Sequence, residues 1–217
     1  MNAAGAPLSR ARYALIMAHG RGGGARDMMG LAEGIGIPDI AYLVPEAEGN
    51  SWWPDSFLAP FARNEPKLTA ALAAMETAVA DVLAEGMPPE RIVLTGFSQG
   101  ACLALEHAAR AGRSYRAVAG LSGGLIGTGE AGGAGQDALY GHAPKTFDYP
   151  GRLDGTRVMI GCHDRDPHIP LARIDESVAV FEGMGAEVTT YIHPGAGHGV
   201  SAEEVTWLRG VLNMPVP

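Results

Sequence analysis

Ile92-Val93-Leu94-Thr95 is an apolar run with no polar alternation, and it leads directly into Gly96-Phe97-Ser98-Gln99-Gly100 and a helical stretch, Gln99 to Ala111, that Gly112 closes. A strand without alternation belongs in the middle of a parallel sheet, where helices cover both faces. Further strands are read at Tyr13 to Ala18, Ala41 to Val44, Ala117 to Leu121, Arg157 to Cys162 and Val188 to Ile192. Helical patterns separate them. Asn64 to Glu85 places Leu68, Leu72, Met75, Val79 and Val82 at steps of three to four, with Pro66 suited to its first turn and Gly86 at its end. Leu171 to Met184 reads as another helix, and Ser201 to Asn213 as the last, opened by a capping box between Ser201 and Glu204. Strands alternating with helices predict an α/β fold: a mostly parallel sheet, helices on both faces, and a single domain over residues 1–217. Ligands of such sheets bind at the carboxyl ends of the strands.

Charge and cysteine content narrow the function classes. A formal net charge of −8 repels nucleic acid, and no Lys/Arg cluster offsets it. No stretch of about 18 apolar residues suits a membrane span. Met1 to Leu8 lacks the apolar core of a signal peptide, so a cytoplasmic location is expected, with Cys102 and Cys162 reduced and buried as small hydrophobes. Residues 123–155 form one long polar, glycine-rich stretch, which predicts a functional lid or a disordered loop.

The turn around Ser98 carries the chemistry. A Gly-x-Ser-x-Gly turn between a buried strand and a helix of small residues holds a serine hydroxyl clear of the sheet. A nucleophilic serine needs a base, and the base needs an orienting acid. In chain order after the serine, His198 in Gly195-Ala196-Gly197-His198-Gly199 follows the last strand and is the expected base; His193, at the strand end, is its rival. The acid should come from His163-Asp164-Arg165-Asp166-Pro167-His168-Ile169-Pro170, where spacing alone does not separate Asp164 from Asp166.

Together these motifs, with His19-Gly20-Arg21-Gly22-Gly23 after the first strand, resemble the phospholipase/carboxylesterase family of α/β-hydrolases, which includes acyl-protein thioesterases and small bacterial carboxylesterases. The resemblance covers nearly the whole chain. It implies an α/β-hydrolase fold without a large cap domain, and a serine esterase acting on short- to medium-chain carboxylic esters; thioester or lysophospholipid hydrolysis at the same site is the alternative. It implies Asp166 as the acid, leaving Asp164 as a loop hydrogen-bonding residue. It implies an oxyanion hole built from the backbone N–H groups of Gln99 and Arg21. The family usually has an apolar residue at the Arg21 position, and the arginine side chain is expected to point to solvent rather than to an anionic part of the substrate. Trp52 and Trp53 match the family's Ser-Trp-aromatic stretch, and one of the two is expected to line an acyl pocket; the sequence does not choose between them. The groove is expected to be open, edged by the 123–155 loop and the Trp52-Trp53 loop. Neither a cofactor nor a metal is expected. The partner is a small-molecule ester, with no stable membrane anchor and a homodimer left open.

Four competing readings account for less. Gly20 to Ala25 also fits the Gly-x-Gly-x-x-Ala pattern of dinucleotide sites, but that leaves Ser98 and His198 unexplained. His163, Asp164, Asp166 and His168 have metal-ligand chemistry but crowd one loop with no distant fourth ligand. Cys102 suggests a thiol hydrolase, yet it lies a helical turn beyond the serine. A non-catalytic binding protein on a hydrolase scaffold leaves the Ser98, Asp166 and His198 set without a purpose.

Overall fold

The computed structural model of the chain describes residues 1–128 and 145–216. Seven strands form one sheet in the order β1-β3-β2-β4-β5-β6-β7: β1 (Asn2–Gly5), β2 (Tyr13–Ala18), β3 (Ile40–Val44), β4 (Ile92–Phe97), β5 (Ala117–Leu121), β6 (Arg157–His163) and β7 (Glu187–His193). Every neighbouring pair is parallel except β1 and β3, so the sheet is parallel with one antiparallel edge. The helices are α1 (Ala25–Ile35), α2 (Phe61–Asn64), α3 (Lys67–Ala84), α4 (Gln99–Ala111), α5 (Leu171–Gly183) and α6 (Ala202–Asn213).

The apolar runs of β2, β3, β4, β5 and β6 lack alternation because both faces of the sheet are covered there, whereas β7 at the sheet edge is half exposed. Along β2, Tyr13, Leu15 and Met17 pack into a core with Met28 and Ile35 of α1 and Leu208 and Leu212 of α6. Ala14, Ile16 and Ala18 face the opposite core, which holds Met75 and Val79 of α3, Leu103 and Leu105 of α4, and Phe181 of α5. Helix α4 is buried from Gln99 through Ala109, which explains its small residues. Gly120 of β5 is part of that fit, since a Cβ there would lie 2.5 Å from a methyl carbon of Leu105.

Two elements escaped the sequence reading. In β1, Asn-Ala-Ala-Gly pairs with β3 through its backbone while all four residues stay exposed. Helix α1 carries Gly30 and Gly34 in its interior, which dilutes the buried Met28, Ala32 and Ile35 stripe. The helix expected from Asn64 to Glu85 is divided. Glu65 adopts φ −78°, ψ 152° because the following proline disfavours the helical region, so α2 ends at Asn64 and α3 begins at Lys67.

Residues 129–144 of the expected 123–155 loop lie outside the described residues. Its described ends are packed inward: Leu125, Ile126 and Leu153 are fully buried. The buried Glu106 carboxylate accepts the Ile126 N–H at 3.0 Å and the Tyr149 hydroxyl at 2.8 Å, and Lys145 sits against it at 3.3 Å. Both cysteines are free and buried. Among the described residues no helix is long and apolar enough to cross a membrane.

Candidate active site

The carboxyl ends of β2, β3, β4, β6 and β7 bring the expected site residues to one edge of the sheet. Ser98 sits between β4 and α4 with φ 54° and ψ −117°, a conformation that costs a non-glycine residue about 1–3 kcal/mol and is kept when surrounding structure enforces it. The enforcement is visible. The Ser98 N–H donates to the Leu121 carbonyl at 2.9 Å. A Cβ on Gly96 would lie 2.2 Å from the Gly100 carbonyl oxygen, and one on Gly100 would lie 2.1 Å from that of Ala18. Both glycines of the pentapeptide are therefore required by backbone-to-backbone contact.

His198 connects this serine to an acid. Its Nε2 is 2.8 Å from Ser98 Oγ and its Nδ1 is 2.8 Å from Asp166 Oδ2. A carboxylate accepts, so Nδ1 carries the ring proton and Nε2 is left to accept the serine hydroxyl proton. The Asp166 carboxyl is fully buried, and its Oδ1 accepts the backbone N–H groups of His168 at 2.8 Å and Ile169 at 3.1 Å. Asp164 does something else. Its Oδ1 accepts the Gly195 N–H at 2.8 Å, and its own N–H donates to the His193 carbonyl at 2.8 Å, which fastens the β6 loop to the β7 loop. The rival base, His193, stays on β7 with its ring centre 5.5 Å from that of His163 and makes no bond to Ser98. Ser122, not singled out in the sequence, donates its hydroxyl to the Gly199 carbonyl at 2.9 Å and anchors the loop that carries His198.

The loop after β2 flanks the serine on the other side. A Cβ on Gly20 would be 3.5 Å from Ser98 Cβ. His19 controls this loop from below and is fully buried. Its Nε2 accepts the Ala47 N–H at 3.0 Å, so the proton resides on Nδ1, which donates to the Gly20 carbonyl at 2.8 Å. The Gly23 N–H donates to the same carbonyl at 3.0 Å. Because the peptide unit is planar, fixing the Gly20 C=O also fixes the Arg21 N–H. The N–H groups of Arg21 and Gln99 have no acceptor among the described residues, as an oxyanion hole requires.

The Arg21 side chain does not simply reach into solvent, as expected from the sequence. Although exposed, its guanidinium donates across the cleft to the carbonyls of Pro54 at 2.6 Å and Asp55 at 2.5 Å. The Gln99 side chain holds the same loop from inside: Nε2 donates to the Trp53 carbonyl at 2.9 Å and Oε1 accepts the Trp52 N–H at 2.9 Å. The two tryptophans then separate. Trp52 is core, stacked on His19 at 5.0 Å with Nε1 donating to the His19 carbonyl at 2.9 Å. Trp53, though equally buried, lines the cleft. The roles of His19 and of the Gln99 side chain were missed because both act through loops distant in sequence.

The cleft encloses about 780 Å³ and is walled by Trp53, Phe57, Leu58, Phe97 and Ile169, with Arg21 and His168 among its polar residues. The 167–170 segment walls the cleft; of the 123–155 loop expected to edge it, the described residues do not line it, and 129–144 lie outside the described residues. Cys102 touches the cleft, but burial pushes its thiol pKa up to about 12, so it offers no thiolate. Where a dinucleotide would need free N–H groups at the start of α1, the Gly24 N–H is taken by Asp27 at 2.9 Å and the Ala25 N–H by Glu46 at 2.8 Å. Among the described residues no group of three or more His, Cys, Asp or Glu side chains is arranged to hold a metal ion.

Comparison with known proteins agrees with this fold. Residues 3–134 match a family model described as phospholipase/carboxylesterase; that stretch includes Arg21, Ser98 and Gln99. Acyl-protein thioesterase 1 of Gibberella zeae is 30% identical over 136 residues, which are 61% of this chain and 51% of that protein, so the chain spans about half the length of that curated relative. A phospholipase/carboxylesterase of Dyadobacter fermentans, known from its crystal structure, is 37% identical with a TM-score of 0.85, over 98% of this chain and 95% of that one. A carboxylesterase of Mesorhizobium loti, 22% identical with a TM-score of 0.67 over 94% of this chain and 90% of its own, shares the fold.

Proposed function

The chain belongs to the phospholipase/carboxylesterase family, and from that premise we propose that it is a serine esterase hydrolysing short- to medium-chain carboxylic esters through Ser98, His198 and Asp166. The observation that carries this reading is the unbroken chain from Ser98 Oγ through both nitrogens of His198 to Asp166, each link 2.8 Å long. In the proposed reaction Ser98 attacks the ester carbonyl as His198 Nε2 accepts its proton. Asp166 keeps the other ring proton on Nδ1 and stabilises the imidazolium that forms. The N–H groups of Arg21 and Gln99 hold the oxygen as it becomes negative. His198 returns the proton to the departing alcohol, and a water molecule activated by the same histidine releases the acid.

The apolar wall of the cleft suits an acyl chain of modest length. A second reading, thioester hydrolysis at the same site, is favoured by the similarity to an acyl-protein thioesterase. A panel of p-nitrophenyl esters and matched thioesters of rising chain length tests both. Activity should depend on Ser98, with Ser98→Ala losing roughly a thousandfold or more in turnover and losing fluorophosphonate labelling. A Ser98→Ala protein that retains near-full rate overturns the proposal.

A further inference from the structure

The cleft holds one guanidinium that the proposed reaction does not use. Arg21 follows Gly20, which abuts Ser98, and its side chain is held in a fixed position by the Pro54 and Asp55 carbonyls. Those partners are neutral, so its charge has no carboxylate within ion-pair distance among the described residues. The carboxylates on adjoining segments are committed elsewhere. Asp55 pairs with Arg63 at 2.8 Å, Asp27 accepts the Gly24 N–H, and Glu46 accepts the Ala25 N–H and the Asn2 amide. Asp166 is enclosed behind His198. Helix α4 directs its N-terminus to the same end of the cleft, which adds positive potential. In a chain of net charge −8, a cation that lines the same cleft as Ser98 and has no counter-ion among the described residues is a recognition element rather than a solubilising one.

We propose that Arg21 selects esters bearing a carboxylate a few carbons from the scissile carbonyl. Two bonds to carbonyls leave further guanidinium N–H groups to meet a carboxylate oxygen by charge-assisted hydrogen bonds. This assignment rests on the esterase reading and adds the substrate's charge to it.

The test compares matched esters on the purified full chain. Monoethyl succinate against ethyl succinamate places the charge on the acyl side; 3-acetoxypropanoate against 3-acetoxypropanamide places it on the alcohol side. At least one carboxylate should exceed its amide by about tenfold or more in kcat/KM, the scale of one charge-assisted hydrogen bond. The advantage should shrink as ionic strength rises. In Arg21→Met the carboxylate-to-amide ratio should fall towards one, whatever happens to the absolute rates, and Arg21→Lys should keep part of it. Carboxylates turned over no faster than amides in the wild-type protein overturn the inference while leaving the esterase reading intact. An Arg21→Met protein slowed equally on both members of a pair also overturns it, because the charge then serves the oxyanion and not the substrate. Absence of any Ser98-dependent hydrolysis removes the esterase reading and the inference with it.

Discussion

Asp166 Oδ2 lies 2.8 Å from His198 Nδ1 while its Oδ1 is filled by the N–H groups of His168 and Ile169, so the carboxylate can turn in no other direction. Asp164, two residues earlier, spends its own oxygen on the Gly195 N–H. Asp166→Asn should therefore lower turnover on the order of a thousand- to ten-thousandfold, by favouring the wrong histidine tautomer. Asp164→Asn retains an accepting oxygen for Gly195 and should cost less than about tenfold, a modest misplacement of the loop. Steady-state kinetics on one ester ranks the two; equal losses would mean that the acid has been misassigned.

The backbone at Ser98 supplies a second contrast. Its φ of 54° suits glycine. Ser98→Ala and Ser98→Gly both remove the hydroxyl and its bond to His198, so their difference reads backbone strain less the extra chain entropy that glycine loses on folding. Ser98→Gly should be more stable than Ser98→Ala by about 1 kcal/mol in urea unfolding. An alanine variant more stable than the glycine variant would show that the elbow is unstrained, since glycine's entropy cost would then be the whole difference.

The parts of the fold that were legible in the sequence are those whose side chains settle their own environment. The apolar run Ile92 to Thr95 is covered on both faces, and the Ser201 and Glu204 box caps α6 as its spacing implies. Strand β1 was illegible because its place depends on backbone pairing with Ile40–Val44, not on its exposed side chains. The choice between Asp164 and Asp166 required the direction of two backbone N–H groups, which spacing does not record. Trp52 and Trp53 are chemically alike in sequence and are told apart only by the ring of His19, 33 positions before Trp52. The Arg21 side chain is fixed by carbonyls 33 and 34 positions away, an interaction with no local signature.

Gln99 joins the elbow to the cleft wall. Gln99→Ala leaves the Trp52 N–H buried and unmet, at about 1–3 kcal/mol, and leaves the Trp53 carbonyl with the Ser51 hydroxyl alone. The thermal midpoint should fall, and KM for p-nitrophenyl esters should rise by a larger factor than kcat falls, since Trp53 forms part of the wall. Gln99→Glu keeps the acceptor for Trp52 but faces the Trp53 carbonyl with an oxygen, so it should restore only part of the loss. If Gln99→Ala changes neither KM nor the midpoint, the clasp has no consequence for binding.

Burial raises the thiols of both Cys102 and Cys162 to about 12. At pH 8 a disulfide reagent should react with them no faster than the protein unfolds, and in denaturant it should take up two equivalents. Rapid labelling of the folded protein would place a thiol in contact with solvent.

His107 gives the fold a dependence on acid that is separate from the site. Its ring is buried in α4, 3.3 Å from the Tyr115 hydroxyl and 3.5 Å from the Glu76 carboxylate. Burial lowers its pKa from 6.5 to about 4; Glu76 opposes the shift and Arg113 adds to it. Between those values the unfolded chain binds a proton that the folded chain refuses. This contribution to stability is complete above about pH 6.5, declines as the pH falls, and is exhausted near pH 4. The full shift corresponds to about 3 kcal/mol. Unfolding free energies at pH 7 and pH 4.5 should therefore differ less in His107→Gln than in the wild-type protein, because the carboxylates contribute equally to both. Parallel pH profiles for the two proteins would mean that the buried imidazole accepts its proton in the folded state, with Glu76 as its counter-ion.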